Sequence, residues 1–233
     1  MNGVIFGGIQ KNSLIDYPGK ICCVIFFSGC NFHCPYCHNP ELAKGMALER
    51  WPEEKVYDFL EQRKGFLEGV VISGGEPCIH PDVIHVCQTI RKMGYPVKMD
   101  TNGSCPDVLE NLIARGLLDY VAMDIKTIPE NYGRYIQNNC DTDSIISSIS
   151  LIIESGLQHE FRTTCIKPLI SESMVEKICG LIQGADRYVL QQFRHKHVLN
   201  PGFFQNNDCT VSSDELQRFC SIARKWVDCC IIR

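Results

Sequence analysis

Residues 21–37 read ICCVIFFSGCNFHCPYC, a stretch that changes character halfway along. Ile21 to Phe27 is an unbroken apolar run rich in β-branched and aromatic side chains, the pattern of a strand buried on both faces. It gives way to a loop over 28–45 rich in Cys, His, Pro and Gly. Beyond that loop, Pro52 to Lys64 has a helical pattern that places Val56, Phe59 and Leu60 on one face. Strand, loop and helix form one structural unit.

The same alternation recurs along the chain. Val70–Ile72 precedes a helical pattern at Pro81–Lys92, Pro96–Met99 precedes Pro106–Arg115, and Tyr120–Ile125 precedes Asp143–Glu154. Glu160–Ile166 then leads to Ser171–Ile182, and Tyr188–Phe193 leads to Ser212–Trp226, which makes six units. Strands separated by helices cannot be hairpin neighbours, so the expected fold is α/β with a mainly parallel sheet and right-handed crossovers. A doubly wound sheet and a partial barrel both satisfy this order. With no repeat, low-complexity tract or Ser/Gly linker, a single domain over 1–233 is expected. Its special features are the cysteine loop at 28–45 and a C-terminal loop and helix over 194–233, in which Asn200 to Asp208 reads as a long loop.

A chain of 233 residues, 45% hydrophobic and 21% charged, can bury a substantial core. A net charge of -4 and a pI near 6.0 give no electrostatic footprint for nucleic acid or anionic lipid. The N-terminal residues lack a charged segment followed by an apolar one, and no run approaches the roughly 18 apolar residues of a membrane span. A cytoplasmic protein with no membrane or nucleic-acid partner is expected. Fifteen cysteines are many for such a chain, but the count is odd and most stand singly in apolar patterns. They read as small buried hydrophobes rather than a disulfide scaffold.

Cys30, Cys34 and Cys37 are the exception, three thiols within eight residues of one loop. At this cysteine content the bare spacing arises by chance in roughly one chain in sixteen, so placement must decide its meaning. A closed structural zinc site wants four ligands, and His38 completes the set only if adjacent residues 37 and 38 both turn inward. An electron-carrying 4Fe-4S cluster wants four cysteines. Three thiolates on a four-iron cube leave one iron open to another ligand.

Other polar segments lie at or near the carboxyl ends of successive strands, the face on which parallel α/β folds build their sites. Ser73-Gly74-Gly75-Glu76-Pro77 follows the second strand, and its paired glycines let backbone approach a ligand closely, or make an ordinary tight turn. Asp100-Thr101-Asn102-Gly103 follows the third strand, and Met123-Asp124-Ile125-Lys126 closes the fourth. These carboxylates suit a cation, a polar cofactor or a helix cap. Arg162, inside the fifth strand, needs an anionic partner, either a cofactor carboxylate or a structural ion pair. Gln191, Gln192 and Arg194 close the sixth.

Cys30-x3-Cys34-x2-Cys37 with Tyr36 before the last cysteine, followed by Gly74-Gly75-Glu76-Pro77, resembles the radical S-adenosylmethionine (SAM) superfamily. Within it the chain is similar to the activating enzymes of glycyl radical enzymes. Gly7-Gly8-Ile9-Gln10, Ser13 to Lys20, Gly29 to Phe32 and Cys34 to Leu42 together resemble anaerobic ribonucleoside-triphosphate reductase activating proteins. The resemblance is dense over 7–42, returns at 73–77, 100–103 and 123–126, and is faint after 168.

The resemblance implies a partial (β/α)6 TIM-like barrel. It also implies a 4Fe-4S cluster on Cys30, Cys34 and Cys37, with the amine and carboxylate of SAM on the fourth iron. Tyr36 and His38 would flank the adenosyl part and Ser73, Gly74, Gly75 and Glu76 the methionyl amine. Asp100, Thr101 and Asp124 would also belong to the SAM site and, with the carbonyl of Ala122, would hold a monovalent cation beside the SAM carboxylate. Asn102, Lys126, Arg162 and Gln192 would complete the SAM contacts. Reductive cleavage of SAM would give a 5′-deoxyadenosyl radical that takes hydrogen from a glycine of the partner enzyme. A low-potential donor such as flavodoxin or ferredoxin would supply the electron. Two alternatives stand beside this reading: a radical SAM catalyst acting on a small molecule or another protein, and a zinc-stabilised binding module. The tail cysteines Cys209, Cys220, Cys229 and Cys230 lack the spacing of an auxiliary cluster and are expected to be core thiols embedded in helix.

Overall fold

The apolar run that opens the alternation forms a strand over Cys22–Phe27, and the βα order predicted from it is found along the whole chain of the computed structural model. The structure describes residues 4–46, 49–194, 197–205 and 209–233. In chain order the strands and helices are β1 (Ile5–Phe6), β2 (Gly8–Ser13), β3 (Cys22–Phe27), α1 (Pro40–Ala43), β4 (Trp51–Pro52), α2 (Glu53–Gln62), β5 (Gly69–Gly74), α3 (Val83–Lys92), β6 (Val97–Thr101) and α4 (Pro106–Ala114). There follow β7 (Tyr120–Asp124), α5 (Pro129–Tyr135), α6 (Thr142–Glu154), β8 (Gln158–Cys165), α7 (Glu172–Leu181), β9 (Arg187–Gln192), α8 (Ser213–Ala223) and β10 (Cys229–Ile232). Packing divides the chain into two compact units, one of Met1–Asn31, Asn39–Thr101 and Asp107–Val121, the other of Phe32–His38, Asn102–Pro106 and Ala122–Arg233.

In the first unit β3, β5 and β6 run parallel, with Cys22 opposite Gly69 and Phe27 opposite Gly74, and β2 lies antiparallel on the outer side of β3. Strands covered on both faces carry no polar face, which is why Cys22 to Ile25 and Val70 to Ile72 are buried without alternation. Val56 and Leu60 of α2, and Val86, Cys87 and Ile90 of α3, are buried as well, each set on one face of its helix. Burial of these side chains is the main favourable term in the fold.

In the second unit β8, β9 and β10 are parallel, with Phe161 opposite Tyr188 and Tyr188 opposite Cys230. Ile145, Ile149 and Ile152 of α6 and Val175, Ile178 and Cys179 of α7 are buried at helical spacing. Ser212 begins α8 with a capping box, its hydroxyl accepting from Glu215 N while the Glu215 carboxylate accepts from Ser212 N.

Several elements depart from the expectation. β10 is an additional parallel strand where the predicted helix was followed by nothing, because Cys-Cys-Ile-Ile is too short a run to signal a strand. β2 is largely exposed and polar, so only its pairing with β3 reveals it. The expected loop from Asn200 carries a 3-10 turn at Pro201–Phe204, while residues 206–208, and 195 and 196 of the expected tail, lie outside the described residues. The expectation of helix-embedded tail thiols is met by Cys220 alone. Cys209 is buried in coil, and Cys229 and Cys230 begin β10. No helix among the described residues is long and apolar enough to cross a membrane.

Cys22, Cys23, Cys78, Cys87, Cys165 and Cys179 are buried among apolar neighbours. Burial pushes the Cys87 and Cys165 thiols up to about 12, far from the range in which a thiol reacts. Replacing Cys165 by alanine should therefore cost about 1 kcal/mol in urea denaturation, the value of a small buried group. It should leave the iron content of the anaerobically reconstituted protein unchanged.

Candidate active site

In the first unit the end of β3 and the turn after β5 are built against each other. Gly75 N donates to Phe27 O and Glu76 N to Gly29 O, both at 2.9 Å. A Cβ at Gly74, whose φ is 123°, would lie 2.2 Å from Phe27 O, and one at Gly75 would lie 1.9 Å from Gly29 O. The two glycines thus meet a close approach by the chain's own backbone, on the segment that leads into Cys30. Farther along the same segment Gly29 N and Cys30 N donate to Leu42 O and Ala43 O at 2.7 and 3.0 Å, fastening it to α1.

Glu76 is buried, and its Oε1 accepts from Cys78 N at 3.0 Å and from the Thr101 hydroxyl at 2.7 Å. Asp100 accepts from the Ser73 hydroxyl at 3.1 Å and from the Lys98 ammonium. Of the residues expected to meet SAM, Ser73 and Asp100 are therefore in contact in this unit, as are Glu76 and Thr101.

The second unit holds the other part of the cysteine loop. Cys37 N donates to Cys34 O at 3.0 Å, closing a turn between the two thiols. Leu199 N donates to Cys37 O and Asn200 N to Pro35 O, each at 3.0 Å, so the segment after β9 holds this turn by its backbone. His38 stacks on Phe193 with ring centroids 5.5 Å apart, Phe193 stacks on Phe204 at 5.2 Å, and His38 Nε2 lies 3.0 Å from Arg194 O. Tyr36 is buried, and its hydroxyl has no hydrogen-bond partner among the described residues. An unpartnered buried hydroxyl costs roughly 1–3 kcal/mol and marks a place where a ligand's polar atom is welcome. Burial raises the Tyr36 pKa well above the usual phenol value, so the group stays a neutral donor.

At the end of β7 the Asp124 carboxylate accepts from Lys126 Nζ at 2.8 Å and from Arg162 Nε at 2.6 Å. Arg162 thus has an anionic partner within the chain, the structural alternative of the two it admitted. Burial pushes the Asp124 pKa up, but the Arg162 and Lys126 charges more than reverse this and hold it well below the usual carboxylate range. Asn102 Oδ1 accepts from Ser104 N at 2.9 Å, Ala122 is buried, and Gln192 is exposed at the end of β9.

Two features went unread in the sequence. Lys98 carried the same signal as Arg162, a charge inside an apolar strand, but stood beside a motif that drew the attention. Phe193 and Leu199–Asn200 carry no signal at all, since a segment that holds a distant loop by its backbone has no sequence pattern of its own.

The chemistry of the residues is the kind that the motifs imply: three thiols close together in sequence, Tyr36 with its unpartnered buried hydroxyl between two of them along the chain, and a glycine-dependent turn that fastens the segment leading into Cys30. The model of the Radical SAM superfamily matches residues 24–182. The chain belongs to that superfamily, whose members work with a 4Fe-4S cluster and SAM. A protein of Methanocaldococcus jannaschii, provisionally named a glycyl-radical enzyme activating enzyme, is 36% identical over 98% of this chain and 95% of its own length. Within the superfamily the chain therefore stands among the activating enzymes of glycyl radical enzymes. The pyruvate formate-lyase-activating enzyme of Clostridium pasteurianum is 30% identical over 53% of this chain and 52% of its own. The 7-carboxy-7-deazaguanine synthase of Methanothermobacter thermautotrophicus is 29% identical over 66% of this chain and 60% of its own. Among solved structures, Streptococcus suis SuiB bound to its precursor peptide SuiA superposes with a TM-score of 0.70 at 15% identity, covering 90% of this chain and 48% of SuiB, a likeness of fold. Membership decides for an enzyme over the zinc-stabilised module.

Asp124→Asn should destabilise the protein by about 2 kcal/mol at neutral pH, because it leaves Lys126 and Arg162 without their counter-charge. The folded pKa of Asp124 lies below its unfolded value, so this stabilisation is present above about pH 4 and is lost as pH falls below it. Denaturation of wild type and variant at several pH values should show the gap narrowing on the acid side.

Proposed function

We propose that this chain is the activating enzyme of an anaerobic ribonucleoside-triphosphate reductase, making a glycyl radical on that partner. The observation that carries the reading is likeness along essentially the whole chain to an enzyme named as a glycyl-radical activase, joined to the motif block over residues 7–42. In this reading Cys30, Cys34 and Cys37 bind a 4Fe-4S cluster, and the two compact units act as one catalytic domain in the cytoplasm. A cluster held there would supply the one-electron reduction by which SAM is cleaved to a 5′-deoxyadenosyl radical, with a flavodoxin or ferredoxin as electron donor.

The chain's own residues hold and shield. Tyr36, with its neutral buried hydroxyl, and His38, fixed by Phe193 and the Arg194 carbonyl, bind the adenosyl part. Ser73 to Glu76, with Asn102, receive the methionyl end. Lys126 and Arg162, oriented by Asp124, supply positive charge toward its carboxylate. Gln192 is assigned the most distant contact. No acid-base pair is needed, because the protein's task is positioning and exclusion of water.

A second reading is favoured by the likeness to the deazaguanine synthase: a radical SAM reaction on a small molecule. One experiment separates them. The reconstituted, reduced protein with SAM should produce an organic doublet in electron paramagnetic resonance (EPR) spectra only when an anaerobic ribonucleotide reductase is added, and Cys34→Ala should abolish it. A doublet that never appears, together with deoxyadenosine formation driven by a small molecule alone, would establish the second reading instead.

A further inference from the structure

We infer that Lys98 supplies from within the chain the positive charge that a monovalent cation would bring to Asp100, so that SAM binding here is independent of Na+ and K+. The inference rests on the proposal that Asp100 borders the SAM site, and it replaces the cation that the resemblance implies.

Lys98 is the unusual side chain of the first unit. It sits in β6 between Val97 and Met99, only 1% of it is exposed, and it ranks in volume among the largest fully buried side chains. A buried ammonium is tolerated only when it is paired and hydrogen-bonded. Side chains two apart on a strand share a face, so Lys98 reaches Asp100 directly and donates to its Oδ1. The Ser73 hydroxyl occupies Oδ2 at 3.1 Å, and the Tyr120 ring lies 5.8 Å from the ammonium, a second favourable surface for the cation. Both Asp100 oxygens thus have donors supplied by the chain.

The other two expected side-chain ligands, Thr101 and Asp124, are similarly engaged. The Thr101 hydroxyl is turned to Glu76, and Asp124 already carries two cationic partners, Lys126 and Arg162. A free Na+ or K+ arriving at either carboxylate would shed water to join an anion whose charge is matched or exceeded. The Coulomb gain that repays dehydration is then missing. The donor set does not fit a monovalent metal ion.

The test is a SAM titration of the anaerobically reconstituted full chain, followed through the EPR signal of the reduced cluster, in Na+, K+ or tetramethylammonium at equal ionic strength. The wild type should bind SAM with the same affinity in all three, within about twofold. Lys98→Met, which keeps the length of the side chain and removes the charge, should bind about tenfold more weakly in tetramethylammonium and recover in Na+ or K+. The double variant Lys98→Met with Asp100→Asn removes the uncompensated carboxylate and should show no ion dependence. A wild type whose affinity rises about tenfold on replacing tetramethylammonium by Na+ or K+ would overturn the inference, and this comparison needs no variant to fold. A wild-type cluster signal that SAM leaves unchanged in every salt would instead overturn the SAM reading on which the inference stands.

Discussion

The close backbone contact between the Ser73–Glu76 turn and the end of β3 is the constraint on which the site depends. Two amides of the turn donate to Phe27 and Gly29 carbonyls, and the approach is so tight that a Cβ at Gly75 would stand 1.9 Å from Gly29 O. Cys30 follows Gly29 immediately, so the position of one proposed cluster thiolate is set by the pairing of β3 with β5, residue by residue from Cys22–Gly69 to Phe27–Gly74. The apolar burial of those strands therefore stabilises the fold and at the same time sets where the cysteine loop begins.

The far side of the loop is held by different means. Cys34 and Cys37 close a turn whose carbonyls at 35 and 37 accept from Asn200 and Leu199, and the ring of His38 lies against Phe193. Sheet geometry fixes one end of the loop, while a returning C-terminal segment fixes the other. Charge is arranged with the same economy. Each carboxylate at the strand ends carries its own cations, Lys98 for Asp100 and Lys126 with Arg162 for Asp124, so the groups proposed to face SAM are oriented before any ligand arrives.

Much of this was legible in the sequence, for identifiable reasons. Ile21–Phe27, Val70–Ile72 and Tyr120–Ile125 read as strands because strands buried on both faces leave nearly continuous apolar runs, broken here only by Asp124 near the end of the third. The cysteine loop was readable because thiol spacing is a local property. β2 and β10 were not readable, since GIQKNS is exposed and polar and CCII is only four residues long. The double glycine admitted close approach to a ligand or an ordinary tight turn, and what meets it in the structure, the carbonyls of Phe27 and Gly29, depends on which strands become neighbours. Arg162 was rightly expected to need an anion, and only the tertiary contact identifies it as Asp124. The grip of residues 193–200 on the loop is tertiary information with no local trace.

The central claim is that three thiolates of one loop hold a four-iron cluster with an iron left for SAM. The most direct test is Mössbauer spectroscopy of the anaerobically reconstituted protein, with and without SAM, alongside iron and sulfide analysis. The account predicts about four irons and four sulfides per chain, with one iron site that changes on addition of SAM, and loss of the cluster in Cys34→Ala. A colourless protein holding zinc, or a four-iron cluster that SAM leaves untouched, would contradict it.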